Sequence, residues 1–345
     1  MRSLRVRPTR PVRFATIAMF AAIVTVAAAC SPPEEDAGVA SSVPSAESGA
    51  IPVTIEHQYG TTTVDKQPTR VAAMGVGDAD TLLALGIVPT TIAPFADPTQ
   101  RSAPWNADLL GDAEPVILPQ AAAEFGSEIA KTLQTDPELV TALGAAPTRE
   151  QYDTLSKAAP TIVRPKDYPD WQVPWDVQAA EIGRAVGLPA AATAKIDETK
   201  AFLADVRKKH PEFAGKTAAV VSGMPDGSVS VYSGEDGRGQ TLTDYGFTFP
   251  ESLKPAITNG FYGSISAENL SMLNDVDVVV AVDWQGSNDR LKSDATWSRL
   301  PVVTQGRAVY LDQQIGTAMS VPTVLTIPWV AGKAVDPLAT AAQKS

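Results

Sequence analysis

From about residue 52 onward, apolar positions alternate between short continuous runs and longer stretches with helical spacing. Runs of the first kind read as buried strands and stretches of the second as helices, so their alternation predicts parallel α/β layers. Val53–Ile55 and Thr61–Val64 flank Tyr59-Gly60 as a small hairpin, and Arg70–Met74, Thr90–Ala93, Leu139–Leu143 and Thr161–Arg164 read as strands of a first lobe. After the first of these strands, GVGDADTLLALG places Asp78 and Asp80 at a helix start, Leu82, Leu83 and Leu85 on one face, and Gly86 at the stop. Thr148 and Gln151, in TREQYDTLSKAAP, have the spacing of a capping box. Pro189 and Pro211 then bracket a stretch in which Ile196, Thr199, Phe202, Leu203 and Val206 recur at helical spacing. A helix of about 20 residues is about 30 Å long, enough to run along two lobes. A second set follows, with Ala218–Val221, Val229–Tyr232, VDVVVAV at 276–282, Ala308–Leu311 and a terminal helix after Pro322. The expected architecture is therefore α/β, with lobes over 52–188 and 211–345 joined by a single long helix over 189–210. A cleft should lie between the lobes, and ligands of open α/β sheets bind beyond the carboxyl ends of the strands.

The residues ahead of this pattern behave differently. Arg2, Arg5, Arg7, Arg10 and Arg13 precede an apolar segment, Phe14–Val26, and three alanines, the anatomy of an export signal over 1–29. The segment is short for a membrane span, which takes about 20 residues. Cleavage there would leave Cys30, the sole cysteine, as the new N-terminus. VTVAAACSPP resembles the lipobox of bacterial lipoproteins, with Ala27 where Leu or Val is usual, so Cys30 is the expected lipid attachment point. The alternative is an ordinary secretory signal with Cys30 near its end by chance. Residues 30–51, small, acidic and proline-bearing, read as a flexible tether. The expected location is extracytoplasmic, anchored to the cell membrane by lipid.

Composition narrows the function classes. The chain of 345 residues carries 28 basic and 39 acidic side chains. Without the five arginines of the leader, 23 basic residues face 39 acidic ones, a formal charge of −16. Such a surface repels phosphate backbones, which argues against nucleic acid as a partner. Direct metal binding is disfavoured, because His57 and His210 are the only histidines and no thiol cluster accompanies them. Haem stays open, since Tyr or Met can ligate its iron. AGKTAAV has His210 where a phosphate loop needs glycine, and GxSxG, HExxH and CxxC do not occur. No catalytic residue, enzyme activity or cofactor is assigned. An anchored extracellular hydrolase is the alternative from another class.

Side chains just past the strand ends are the candidates for the cleft: Phe95, Arg164, Tyr168, Trp171, Trp284 and Gln314, with Gln313 beside the last, and Tyr232 at the end of its own run. Aromatic rings that stack and an arginine that donates paired hydrogen bonds suit a large aryl ligand bearing negative charge, such as a ferric catecholate or mixed chelate. Trp175, at a helix start, is expected to serve core or hinge packing. Trp105 and Arg101 lie in a loop whose course the pattern does not place.

Five stretches, GTTTVDKQPTRVAAMGVGDADTLLALGIVP, EQYDTLSKAAPTI, WDVQAAEIGRAVGL, DVDVVVAV and LPVVTQGRAVYLD, occur in an order similar to that of the periplasmic-binding proteins that deliver ferric siderophores, haem or cobalamin to ABC importers. The resemblance covers about 52–340. It implies two Rossmann-like lobes on a helical backbone, a binding protein rather than an enzyme, working as a monomer, and a ferric siderophore as cargo. Haem or cobalamin is the alternative cargo. It also implies a glutamate on each lobe that docks to the transporter permease. ISAENLSMLNDVDVVVA places Glu268 in that role, whereas FGSEIAKTLQTDPELV puts Ala130 at the family position and leaves Glu128, or else Glu124, to serve through a shifted helix start. Both acids could equally be solvated groups favoured by a helix dipole.

Overall fold

The computed structural model describes residues 43–95, 100–119 and 125–345. Its first element is an antiparallel hairpin of β1 (Val53–His57) and β2 (Gly60–Val64) with Val53 opposite Val64. A five-stranded parallel sheet follows, made of β3 (Val71–Ala73), β4 (Thr91–Ile92), β5 (Val116–Ile117), β6 (Leu139–Ala142) and β7 (Thr161–Val163). Their order is β5-β4-β3-β6-β7. β3, β6 and β7 are buried along their whole length, because helices cover both faces of a parallel sheet. Val71, Leu139 and Ile162 turn to the face packed by Leu82 and Ile182. Ala72, Val140 and Val163 turn to the face packed by Leu155. The helix Arg149–Ser156 between β6 and β7 begins at the expected capping box, with Thr148 and Gln151 satisfying each other's backbone N–H.

The connecting helix runs from Pro189 to Lys209, with Pro189 in its first turn, where no intrahelical N–H bond is lost. Ala192 packs into the first-lobe core, whereas Ile196, Leu203 and Val206 pack into the second. One rod thus belongs to both lobes. The second lobe holds β8 (Ala218–Gly223), β9 (Val229–Tyr232), β10 (Ile257–Asn259), β11 (Tyr262–Ile265), β12 (Val278–Val282) and β13 (Ala308–Leu311), in the order β10-β11-β9-β8-β12-β13. β8, β12 and β13 are parallel, while β9, β10 and β11 pair antiparallel. β10 and β11 escape a reading by hydrophobic runs because they form a short, half-polar hairpin at the sheet edge. The terminal helix Thr326–Ala342 closes the lobe with Val330, Ala334 and Leu338 buried.

One boundary needs correcting. The segment 43–51, expected to belong to the flexible tether, is part of the folded body. Gln67 binds it at both ends, accepting from Ala46 N at 2.7 Å and donating to Pro44 O at 2.7 Å. Glu47 then caps the connecting helix, its carboxylate accepting from the free N–H groups of Ala190 at 2.7 Å and Ala191 at 2.8 Å. The expected leader and Cys30 lie outside the described residues. Among the described residues, no helix is long and apolar enough to cross a membrane.

Candidate functional site

The lobes meet at a joint built on the helix Asp78–Ala84 that follows β3. The turn leading into it, Gly75-Val76-Gly77, requires its glycines: a Cβ on Gly77 (φ +79) would fall 2.8 Å from Val321 of the second lobe, and one on Gly75 2.5 Å from Gly144 N. Asp78 is fully buried, and its carboxylate accepts from Leu143 N at 3.1 Å, Gly144 N at 3.2 Å and Gln178 Nε2 at 2.5 Å. Asp80 collects donors from one loop of the first lobe and one segment of the second. Asn106 Nδ2 lies at 2.7 Å, Trp105 Nε1 at 2.9 Å and Thr323 Oγ1 at 3.1 Å. Burial pushes its carboxyl up to about 6, against the pull of these three donors. Trp105 also packs its ring 5.3 Å from that of Trp329. The loop left unplaced by the pattern is therefore a wall of the joint, and its Arg101 binds Ala113 O and Glu114.

Beside this joint, side chains of both lobes face one another. The Phe95 ring lies 6.4 Å from Trp284, and the Arg238 guanidinium is 6.0 Å from Phe95 and 4.0 Å over Tyr232. Arg238 also pairs with both carboxylate oxygens of Asp236 at 3.0 Å. Asp236 caps the helix Gly237–Tyr245, and its burial pushes the carboxyl up while Arg238 pulls it down. Burial likewise raises the Tyr232 hydroxyl.

Trp284 and Trp171 are held out toward solvent, 40% and 43% exposed. Trp171 sits at a left-handed backbone position, φ +65, and Trp284 directly precedes one, Gln285 at φ +50. Non-glycine residues in that region carry strain that packing must over-determine, and such positions cluster at ligand clamps. At Trp284 the constraint is visible. Trp284 N donates to Ser287 Oγ at 2.8 Å, Gln285 N to Gln313 Oε1 at 3.3 Å, and Arg290 to Gln285 O at 2.9 Å. Trp171 lines an interlobe pocket with Leu143, Gly144, Gly237 and Ser320.

The structure brings Phe95, Trp171, Tyr232 and Trp284 to the interlobe region and leaves others elsewhere. Arg164 turns to its own loop, paired with Asp170 and donating to Tyr168 O. Tyr168 is half-buried on that loop, and Gln314 is exposed while its neighbour Gln313 supports the Trp284 turn. Tyr232 reaches the cleft by an unexpected route. β9 is antiparallel, so Gly223 at the carboxyl end of β8 pairs with Val229 and Tyr232 sits level with Val220. It underlies Arg238 rather than ending a cleft-facing strand. Trp175 is buried at the hinge and bonds Asp244 of the second lobe, as its packing role requires. Glu268 stands exposed in the first turn of the short helix Ala267–Asp275. Glu128 is 3% exposed and presents no carboxylate at the surface, and Glu124 lies outside the described residues. His57 is buried against Thr62 and Tyr152, and His210 stacks on Phe213. No group of three or more His, Cys, Asp or Glu that could hold a metal occurs among the described residues. Sequence reasoning missed Arg238 and Asp236, although SGEDGRG, a glycine-rich turn opening a helix after a strand, was the signal that could have found them.

Comparison with known proteins agrees with this geometry. The family described as periplasmic binding protein matches residues 71–315. YhfQ of Bacillus subtilis strain 168, provisionally described as an ABC transporter substrate-binding lipoprotein, is 24% identical over 273 residues, covering 76% of this chain and 82% of YhfQ. FepB of Escherichia coli O6:H1, described as a ferric enterobactin-binding periplasmic protein, is 25% identical over 270 residues, covering 75% of this chain and 83% of FepB. The crystal structure of Streptococcus pneumoniae PiaA in complex with ferrichrome superposes with a TM-score of 0.72 at 25% identity, over 85% of this chain and 99% of PiaA. Two α/β lobes on one rod, with aromatic side chains facing across the gap, are thus found where sequence similarity also places the molecule: the chain belongs to the periplasmic binding protein family.

Proposed function

We propose that this protein is an extracytoplasmic receptor that captures a ferric siderophore between its lobes and hands it, chemically unchanged, to an ABC importer. FepB and PiaA, with their ferric enterobactin and ferrichrome, support a ferric chelate as cargo. The observation that carries the reading is the facing set of Phe95 from one lobe and Trp284 and Arg238 from the other, 6.4 and 6.0 Å apart. A chelator already fills the coordination sphere of its iron, so the protein needs only flat apolar faces and donors for the chelate's oxygens. The receptor turns nothing over. Closure is a small movement about a continuous helix, which resists bending because every turn is hydrogen-bonded to the next. Lipid on Cys30 would moor the body at the membrane, and the exposed Glu268 would meet a cation of the permease.

Tryptophan fluorescence of the mature protein titrated with a panel of ferric siderophores, haem and cobalamin tests this reading. Quenching by a ferric siderophore, with the chelate recovered intact, is the expected result. Trp284→Ala should weaken that binding about tenfold, the scale of one well-placed aromatic contact. Product formation, or tighter binding of haem or cobalamin, would replace the reading.

A further inference from the structure

FepB and PiaA bear different ferric chelates, so the fold does not decide what charge the chelate bears. The side chains of this cleft do. Its cation, Arg238, is already neutralised: both Asp236 oxygens lie at 3.0 Å, and the two side chains are 11% and 6% exposed. Arg164 is paired with Asp170 and Arg101 with Glu114. Arg290 has no carboxylate partner among the described residues, but its guanidinium is turned to the carbonyls of Gln285, Trp284 and Gly223, where it fixes the turn beneath Trp284. Acids without a basic partner also lie close by. Asp80 is held at the joint by neutral donors, and Asp283 by Ser287 and Asn288 N. What the cleft offers freely is apolar: the exposed rings of Trp171 and Trp284, with Phe95 between the lobes.

We propose that this cleft selects a ferric chelate of zero net charge, of the trihydroxamate class, over the trianionic tricatecholate class. The inference rests on the siderophore reading and specifies the ligand within it. Three singly charged hydroxamates cancel iron(III), whereas three doubly charged catecholates leave an excess of three negative charges. A trianion meeting Arg238 finds its charge already offset by Asp236, and drawing the guanidinium away would strand a buried carboxylate, which is strongly unfavourable. The net charge of −11 for the whole chain adds repulsion on approach. A neutral chelate keeps the Arg238–Asp236 pair, lays its ligand backbone on the tryptophan faces, and takes the outer N–H groups of Arg238 on its hydroxamate oxygens.

The test uses the complete mature protein and two probes, a ferric trihydroxamate and a ferric tricatecholate, each titrated at low and high salt. The trihydroxamate should bind at least about tenfold tighter, and its affinity should move less than about twofold with salt, since no net charge is screened. Asp236→Asn keeps an oxygen for the helix cap but frees the charge of Arg238. In this variant the ratio of affinities should shift toward the tricatecholate by about tenfold. Equal or tighter binding of the tricatecholate by the unmodified protein overturns the proposal, and that arm needs no variant to fold. An unchanged affinity ratio in a folded Asp236→Asn protein overturns it too. If neither probe nor any other ferric siderophore binds, the receptor reading itself fails and takes this inference with it.

Discussion

Replacing Asp80 by asparagine probes the joint between the lobes. Asp80 is 6% exposed, yet its carboxyl, ordinarily at 3.8, is pushed up to about 6 because burial outweighs its three hydrogen bonds. In the unfolded chain the group returns to its ordinary value, so between about pH 4 and pH 6 the folded protein holds a proton that the unfolded one has released. Where the folded state binds more protons, the free energy of unfolding falls as pH rises. The contribution of Asp80 is therefore complete below its unfolded value and is lost as pH climbs through about 6. A gap of about two pKa units corresponds to about 3 kcal/mol. Asparagine does not titrate and contributes none of this slope. The assay is urea unfolding of both proteins at a series of pH values, followed as their difference in unfolding free energy. Carboxyls common to both, Asp78 among them, cancel in that difference. From about pH 4 to about pH 7.5 the wild type should lose about 2 kcal/mol of this relative to Asp80→Asn, most steeply between the two pKa values. A flat difference would refute both the shifted pKa and the account of the joint as a desolvated carboxylate.

Other perturbations test other parts of the structure. Glu47→Ala removes the cap from the connecting helix and should lower stability by about 1 kcal/mol, read by the same unfolding assay; an unchanged midpoint would mean that the segment from Val43 contributes nothing to the fold. Gly144→Ala places a Cβ 2.0 Å from Val76 O, backbone against backbone, and should destabilise by about 4 kcal/mol or more, with a wild-type melting curve as the refuting result. Glu268→Ala should leave chelate binding intact and reduce uptake of labelled iron chelate by cells, whereas normal uptake would remove Glu268 from the docking surface.

The parts of the fold that were legible are those whose cause is local. VVVAV over Val278–Val282 is buried on both faces and reads as a central parallel strand from its composition alone. The capping box at Thr148 needs only residues three apart; Pro189 suits the first turn, where its missing N–H costs nothing, and Pro211 cannot continue the helix. Where the cause lay elsewhere, the reading went astray. The segment 43–51 looks like tether by composition, but Glu47 is fixed by Ala190 and Ala191, which lie 143 and 144 residues away. Phe95, Trp171 and Trp284 follow strands in the sequence, and the structure places them between the lobes. Tyr232 ends a strand that runs antiparallel to its neighbour, and nothing within VSVY tells an antiparallel strand from a parallel one. Arg164 and Arg238 look alike in sequence, each with an aspartate close by. Only the placement of their loops turns one inward on its own turn and the other toward Phe95.

The sequence by itself determined the α/β class, the two lobes and the rod between them, since hydrophobic period, caps and prolines act over a few residues and survive any rearrangement of distant segments. Tertiary structure alone decided which arginine faces the gap, which carboxylate neutralises it, and that Asp80 is joined to Thr323 across 243 residues of chain. The physical reason is that charge pairing and desolvation depend on distances of a few ångströms, and for residues far apart in sequence those distances exist only once the chain has folded.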